Sequence, residues 1–231
     1  MIRVSIHRDV NRAEFEMSDQ IELKILGIEP GEEIAGGQHL TIQTTRGPIP
    51  MIFHPAAEPG RAALCVSGAM GGVDGPSKLY VRLGEELPAA GIAIARLDYR
   101  APNEFGECML DALAGLSFLR AMRYQRAALI GHSFGGAVAI NAGTLGPTIT
   151  TVVALSSQLA GAHVVAELAP RPLLLVHGTA DTILPHQSSE AIFERAGEPK
   201  TLKLLPGADH RFAGFGDELW QIVSDWLVEK V

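Results

Sequence analysis

Gly131-His132-Ser133-Phe134-Gly135-Gly136 is the stretch whose reading decides the fold. It follows the apolar run Ala127-Ala128-Leu129-Ile130 and precedes the small-residue run Ala137-Val138-Ala139-Ile140-Asn141-Ala142. The first run reads as a buried strand and the second as a helix. The turn between them carries the pattern G-x-S-x-G. It needs glycine on both sides because the chain reverses sharply there, and a Cβ would collide with the neighbouring strand or helix. The serine at the apex is expected in a strained conformation with its hydroxyl aimed out of the sheet. It also heads a helix, where free backbone N–H groups and the helix dipole favour negative charge. A glycine-flanked serine in an ordinary turn satisfies the same short pattern; the strand before and the helix after favour a nucleophile.

Working outward, apolar runs and helical patterns alternate. Ala62-Ala63-Leu64-Cys65-Val66-Ser67 reads as a strand buried on both faces. The glycine-dense loop Ser67-Gly68-Ala69-Met70-Gly71-Gly72-Val73-Asp74-Gly75-Pro76 follows it, then a helix over about 77–90 and the strand Ile92-Ala93-Ile94-Ala95-Arg96. A helix over 106–123 carries Met109, Leu113, Leu116 and Leu119 at helical spacing. After the serine turn come strands at 151–156, 172–177 and 200–205, with helices over about 186–196 and 215–231. This alternation predicts a doubly wound α/β sheet with right-handed crossovers, in which ligands sit at the carboxyl ends of the strands. On the amino-terminal side, Leu40–Thr44 and Ile49–His54 read as an antiparallel hairpin. Residues 1–37 form an extension with two strand-like alternations, at 2–6 and 21–25, punctuated by Pro30-Gly31 and Gly36-Gly37. Edge hairpin, covering arm and contact for self-association all stay open for it. Residues 38–231 read as one catalytic-sized α/β domain.

At 231 residues the chain is long enough for one well-buried core, and 47% hydrophobic content suits a compact fold. A formal net charge of −7 argues against nucleic acid or an anionic membrane as the main partner. No apolar stretch is long enough to span a membrane, and the amino terminus lacks the apolar core of a signal peptide. The two cysteines, Cys65 and Cys108, suggest no disulfide framework, so a reducing, cytoplasmic setting is expected.

A serine becomes a useful nucleophile when a base takes its proton and a carboxylate orients that base. Asp181 follows the strand ending at His177, and His210 follows the strand ending near Leu205. Ser133, Asp181 and His210 therefore fall at successive strand ends, in the chain order this turn calls for. Asp209 adjoins His210 and is poorly placed to fold back onto its neighbour's ring; Asp217 and Asp225 fall in or near the last helix. His132 is expected to point away from Ser133, and His177 to be packed at a strand end. A metal site from His177, Asp181 and His186 lacks a geometry-fixing spacing, and no metal or cofactor is expected. The oxyanion of a tetrahedral intermediate needs two N–H donors. One is expected from Phe134 and the other from the glycine loop, Ala69 ahead of Met70.

On GHSFGG, HGTAD, GADH, the glycine loop and DYR (98–100), the sequence resembles serine hydrolases of the α/β-hydrolase superfamily from about Leu40 to the carboxyl terminus. The resemblance implies an eight-stranded, mostly parallel sheet with an antiparallel second strand and helices on both faces. It implies Ser133 as nucleophile, Asp181 as acid and His210 as base. One departure stands out: Ser67-Gly68 replaces the usual His-Gly before the oxyanion residue. Relatives often carry a helical cap between their sixth and seventh strands; here 158–171 has room for one short helix at 163–168, so no large cap domain is expected. Met70, Phe105, Leu159 and Ile183 are candidate pocket walls, suiting an uncharged acyl substrate of small to medium size. The leading expectation is ester hydrolysis through an acyl-enzyme. Thioesterase, amidase and peptidase chemistry use the same machinery, as do perhydrolysis and C–C bond hydrolysis. A non-catalytic protein binding a small molecule or a partner is the alternative from another class.

Overall fold

In the computed structural model, which describes residues 2–7, 20–34 and 36–231, the apolar runs form one ten-stranded sheet. In chain order the strands are β1 (Ile2–His7), β2 (Gln20–Ile34), β3 (Gly37–Thr44), β4 (Ile49–His54), β5 (Arg61–Val66) and β6 (Ile92–Leu97). They continue with β7 (Arg126–His132), β8 (Ile149–Leu155), β9 (Leu173–Gly178) and β10 (Lys200–Leu205). Their spatial order is β1-β2-β3-β4-β6-β5-β7-β8-β9-β10. The eight strands β3–β10 are the sheet the sequence led us to expect. β4 runs antiparallel to β3 and β6, and β5 through β10 are mutually parallel. The count of eight is corrected to ten, because β1 and β2 add antiparallel strands at the β3 edge.

Among the described residues five α-helices cover this sheet: α1 (Leu79–Glu86), α2 (Phe105–Ala121), α3 (Phe134–Leu145), α4 (Gln187–Arg195) and α5 (Gly216–Lys230). Successive residues of a strand face opposite ways, so one strand feeds two cores. Along β5, Leu64 and Val66 enter the core beneath α2, α3 and α4, while Ala63 and Cys65 enter the core beneath α1 and α5. Interior strands thus need apolar residues throughout, which is why they read as unbroken runs. Trp226 of α5 donates its indole N–H to Thr151 Oγ1 at 2.8 Å, fixing that helix against β8. Both cysteines are free and buried, and burial pushes both thiol pKa values up. Among the described residues no helix is long and apolar enough to cross a membrane.

Pro30-Gly31 does not end a strand: β2 continues to Ile34 through a register shift between Pro30 and Glu33. The reason is position. Among the described residues β1 pairs with β2 only up to Ile25, so beyond it no described strand lies along the outer side of β2, where a proline is tolerated and a bulge absorbs the irregularity. The remainder of the 1–37 extension, residues 1, 8–19 and 35, lies outside the described residues. Between β8 and β9 the chain makes only a short 3-10 turn, Val165–Leu168, so no cap domain is inserted there.

Leu64 is fully buried at the centre of the sheet. Leu64→Ala is expected to lower unfolding free energy by about 2–5 kcal/mol, read from urea denaturation midpoints at constant slope.

Candidate active site

Ser133 sits between β7 and α3 with φ 58° and ψ −120°, a conformation that L residues rarely adopt. The turn closes because glycines let backbone touch backbone. A Cβ on Gly131 would lie 1.9 Å from the Gly135 carbonyl oxygen, and one on Gly135 would lie 2.1 Å from the Ser67 carbonyl oxygen. Two hydrogen bonds hold the apex. Ser133 N–H donates to Leu155 O at 2.8 Å, and Gly136 N–H donates to Ser133 O at 3.0 Å.

The three side chains named from strand ends meet. His210 Nε2 lies 3.0 Å from Ser133 Oγ, and His210 Nδ1 lies 2.6 Å from Asp181 Oδ2. With the Nδ1 proton donated to the carboxylate, Nε2 is left to accept the serine hydroxyl proton. The Asp181 side chain is fully buried, and its Oδ1 accepts N–H groups from Ile183 and Leu184, both at 2.8 Å. Burial alone would raise its pKa. The Leu184 N–H, the His210 ring and the Ile183 N–H outweigh burial and hold it below the usual carboxylate range.

Backbone contacts bring the acid turn and the histidine loop together. Thr179 N–H donates to Leu205 O at 3.0 Å, Ala180 N–H to Ala208 O at 2.9 Å, and Gly207 N–H to Thr179 Oγ1 at 3.0 Å. Asp209 turns away from its neighbour's ring, and its Oδ1 accepts N–H groups from Arg211 and Ala213. Among the described residues no group of three His, Cys, Asp or Glu side chains is arranged to hold a metal.

Phe134 opens α3, so its N–H has no acceptor within the helix. In the glycine loop, Gly71 N–H donates to Gly68 O at 3.1 Å, making Ala69 and Met70 the central pair of a turn. A Cβ on Gly68 would lie 3.5 Å from Ser133 Cβ, so the loop passes directly beside the serine. A cavity of about 770 Å³ opens here, lined by the loop from Ser67 to Lys78 and by His132, Ser133, Ile183, His210 and Arg211. Met70 and Ile183 line it and are strongly exposed. Phe105 and Leu159 do not line it. They pack on the core, Phe105 edge-on to Phe134 at 5.8 Å. Apolar side chains near strand ends give no local signal of which side of the turn they take.

Sequence reasoning passed over several contributors. The Asp98 carboxylate of DYR accepts Gly72 N–H at 2.7 Å and so holds the glycine loop. Ser77 Oγ lies 2.8 Å from the carbonyl oxygens of both Arg211 and Phe212, tying that loop to the histidine loop. His132 is more than a bystander: its Nε2–H donates to His210 O at 2.9 Å, and the two rings lie 4.8 Å apart. His177 is buried, as expected of a strand-end histidine, but it also bonds Asp181. DYR and HGTAD flagged Asp98 and His177, but nothing local specifies their partners.

Burial lowers the His132 pKa from 6.5 to about 4, with His210 and Arg211 nearby pushing the same way and the bond to His210 O opposing. The unfolded chain therefore binds this proton more readily than the folded one, and stability falls as pH drops from about 6.5 toward 4. His132→Gln is expected to flatten that fall by roughly 3 kcal/mol at most. Urea midpoints across this range measure it, and an unchanged profile would refute it.

The dienelactone hydrolase family model matches residues 78–224, a span that includes Ser133, Asp181 and His210. The uncharacterized protein YfhR of Escherichia coli strain K12 is 28% identical over 178 residues, covering 63% of this chain and 62% of that protein. The chain thus spans less than two thirds of that curated relative's length. Among solved structures, the dienelactone hydrolase from Anabaena variabilis is similar at TM-score 0.72 and 18% identity, over 85% of this chain and 99% of that one. A serine hydrolase without lid from Xanthomonas campestris is similar at TM-score 0.66 and 19% identity, over 84% and 96%. At such identities the solved structures establish the fold alone. The family model, which matches well over half of the sequence, carries the assignment: the chain belongs to the dienelactone hydrolase family.

Proposed function

We propose that the protein hydrolyses a carboxylic ester of a small to medium acyl substrate through an acyl-enzyme on Ser133. The observation that carries this is the unbroken line from Ser133 Oγ to His210 Nε2 at 3.0 Å and from His210 Nδ1 to Asp181 Oδ2 at 2.6 Å, beside an open cavity. Ser133 Oγ attacks the acyl carbon while its proton passes to His210 Nε2. The N–H groups of Phe134 and of Ala69, or of Met70 in its place, receive the oxyanion. The intermediate collapses, and the alcohol leaves with the proton from His210. Water then attacks the acyl-enzyme, His210 takes and returns its proton, and the free acid departs with Ser133 restored. Asp181 keeps the ring in the tautomer this requires.

The family description names a lactone, which is an internal ester, and the chemistry above applies to one unchanged. Thioesters, amides and peptides meet the same groups, so the leaving group is chosen by the cavity.

A fluorophosphonate probe is expected to add mass at Ser133 in the native protein and none in Ser133→Ala. Ser133→Ala is expected to lose at least ~10³-fold in kcat/KM on the best ester, and Asp181→Asn ~10³–10⁴-fold. A panel of acyl esters of graded chain length, with a lactone, a thioester and an amide, ranks the substrates. Folded protein that takes no label and cleaves no member of the panel would point to a binding protein.

A further inference from the structure

Asp181 is held by two imidazoles, and the catalytic reading uses one. His177 is fully buried at the end of β9, and its Nε2 lies 3.1 Å from Asp181 Oδ2 and 3.1 Å from Leu184 O. Carboxylate and carbonyl oxygens only accept, so Nε2 carries a proton shared between them. On the other side of the ring, Nδ1 lies 2.7 Å from Ser189 Oγ, within α4. Burial lowers the His177 pKa, and the neutral ring leaves Nδ1 as an acceptor for the Ser189 hydroxyl. The tautomer of a second histidine is thereby fixed by three partners.

We infer that His177 is a positioning residue that aims Asp181 Oδ2 at His210, a role that rests on the hydrolase reading above. Asp181 Oδ1 is anchored by the N–H groups of Ile183 and Leu184, which fixes a pivot but not the rotation about it. Without His177, Oδ2 has His210 as its remaining partner, and His210 is the ring that Oδ2 must orient. The restraint would then be circular. With His177, both carboxylate oxygens are set by β9, α4 and the acid turn before the histidine loop docks. The carboxylate accepts four N–H groups in all: Ile183, Leu184, His210 and His177.

The test compares His177→Phe, which fills space without a donor, with His177→Gln, whose amide N–H reaches the Nε2 position, and with Ser189→Ala. Thermal midpoint, kcat and KM on an ester, fluorophosphonate labelling rate and the downfield proton resonance of the His210–Asp181 hydrogen bond are measured on the full chain. His177→Phe is expected to lower kcat roughly 10- to 100-fold at near-constant KM and to shift or abolish that resonance. His177→Gln is expected to stay within about fivefold in kcat and keep the resonance, although both variants lower the midpoint. Equal kcat and equal resonance in the two variants would overturn the inference and leave His177 a packing residue. Should His177→Phe not fold, Ser189→Ala decides. A smaller loss in kcat with a moved resonance supports the role, and no change in either overturns it. If the native protein takes no label, the hydrolase reading fails, while the resonance comparison still shows whether His177 sets the Asp181–His210 bond.

Discussion

A serine held at φ 58° is an expensive conformation, of order 1–3 kcal/mol, and it persists only because its surroundings leave the chain no alternative. Here the constraint is contact between backbone atoms. β7 enters and α3 leaves so close together that Gly131 lies against the Gly135 carbonyl, while Gly135 in turn lies against the Ser67 carbonyl. The second contact also sets the distance between the serine turn and the start of the glycine loop. One crossing of three segments therefore positions both the hydroxyl and the loop expected to stabilise negative charge on the reacting oxygen.

The strain is offset by what the turn is tied to. Ser133 N–H reaches across to β8, and the strand next to β8 ends in the acid turn, which is laced to the histidine loop by backbone bonds. The sheet thus sets the separation of three groups 48 and 29 residues apart along the chain, at the ends of β7, β9 and β10, with β8 between the first two. Each side chain is braced from behind: His210 through its carbonyl by His132, Asp181 by two backbone N–H groups and His177, and the glycine loop by Asp98 and Ser77. Two of these braces, His132 and His177, are themselves titratable. Burial lowers the pKa of both histidines, so they act as neutral hydrogen-bonding rings and place no positive charge beside the carboxylate.

What the sequence revealed and what it hid follow from the range of the interactions. Strands β5 to β9 were legible because burial on both faces demands apolar residues, and Ser133, Asp181 and His210 because each sits just past a strand end. The length of β2 was not, since a proline and a glycine read as a break unless the unpaired side of the strand is known. Phe105 and Leu159 are candidates for the pocket wall, and both pack against the core without lining the cavity beside Ser133: apolarity near a strand end marks burial without marking direction. His177 read correctly as packed but incompletely, because its ties to Leu184 and Ser189 depend on how the 181–185 turn folds back over β9. His132 likewise owes its partner to a loop 78 residues away.

The shape of the cavity carries a last consequence. Its lining includes the glycine loop and the serine turn, whose backbone N–H groups, under the ester reading, meet the reacting carbonyl without reading the rest of a ligand. Selection then falls to the rim, where Met70 is 90% exposed, Ile183 is 65% exposed, and Lys78 and Arg211 supply charge. Met70 is unbranched and adapts to irregular surfaces, and an apolar rim open to water gains from being covered by an acyl chain. Without a cap inserted between β8 and β9, nothing from that segment closes over the far end of such a chain. One more or one fewer methylene in an enclosed pocket is worth only about 1–3 kcal/mol, and an open rim offers less. Under the ester reading, the fold therefore places tight control on the geometry of attack and loose control on acyl length.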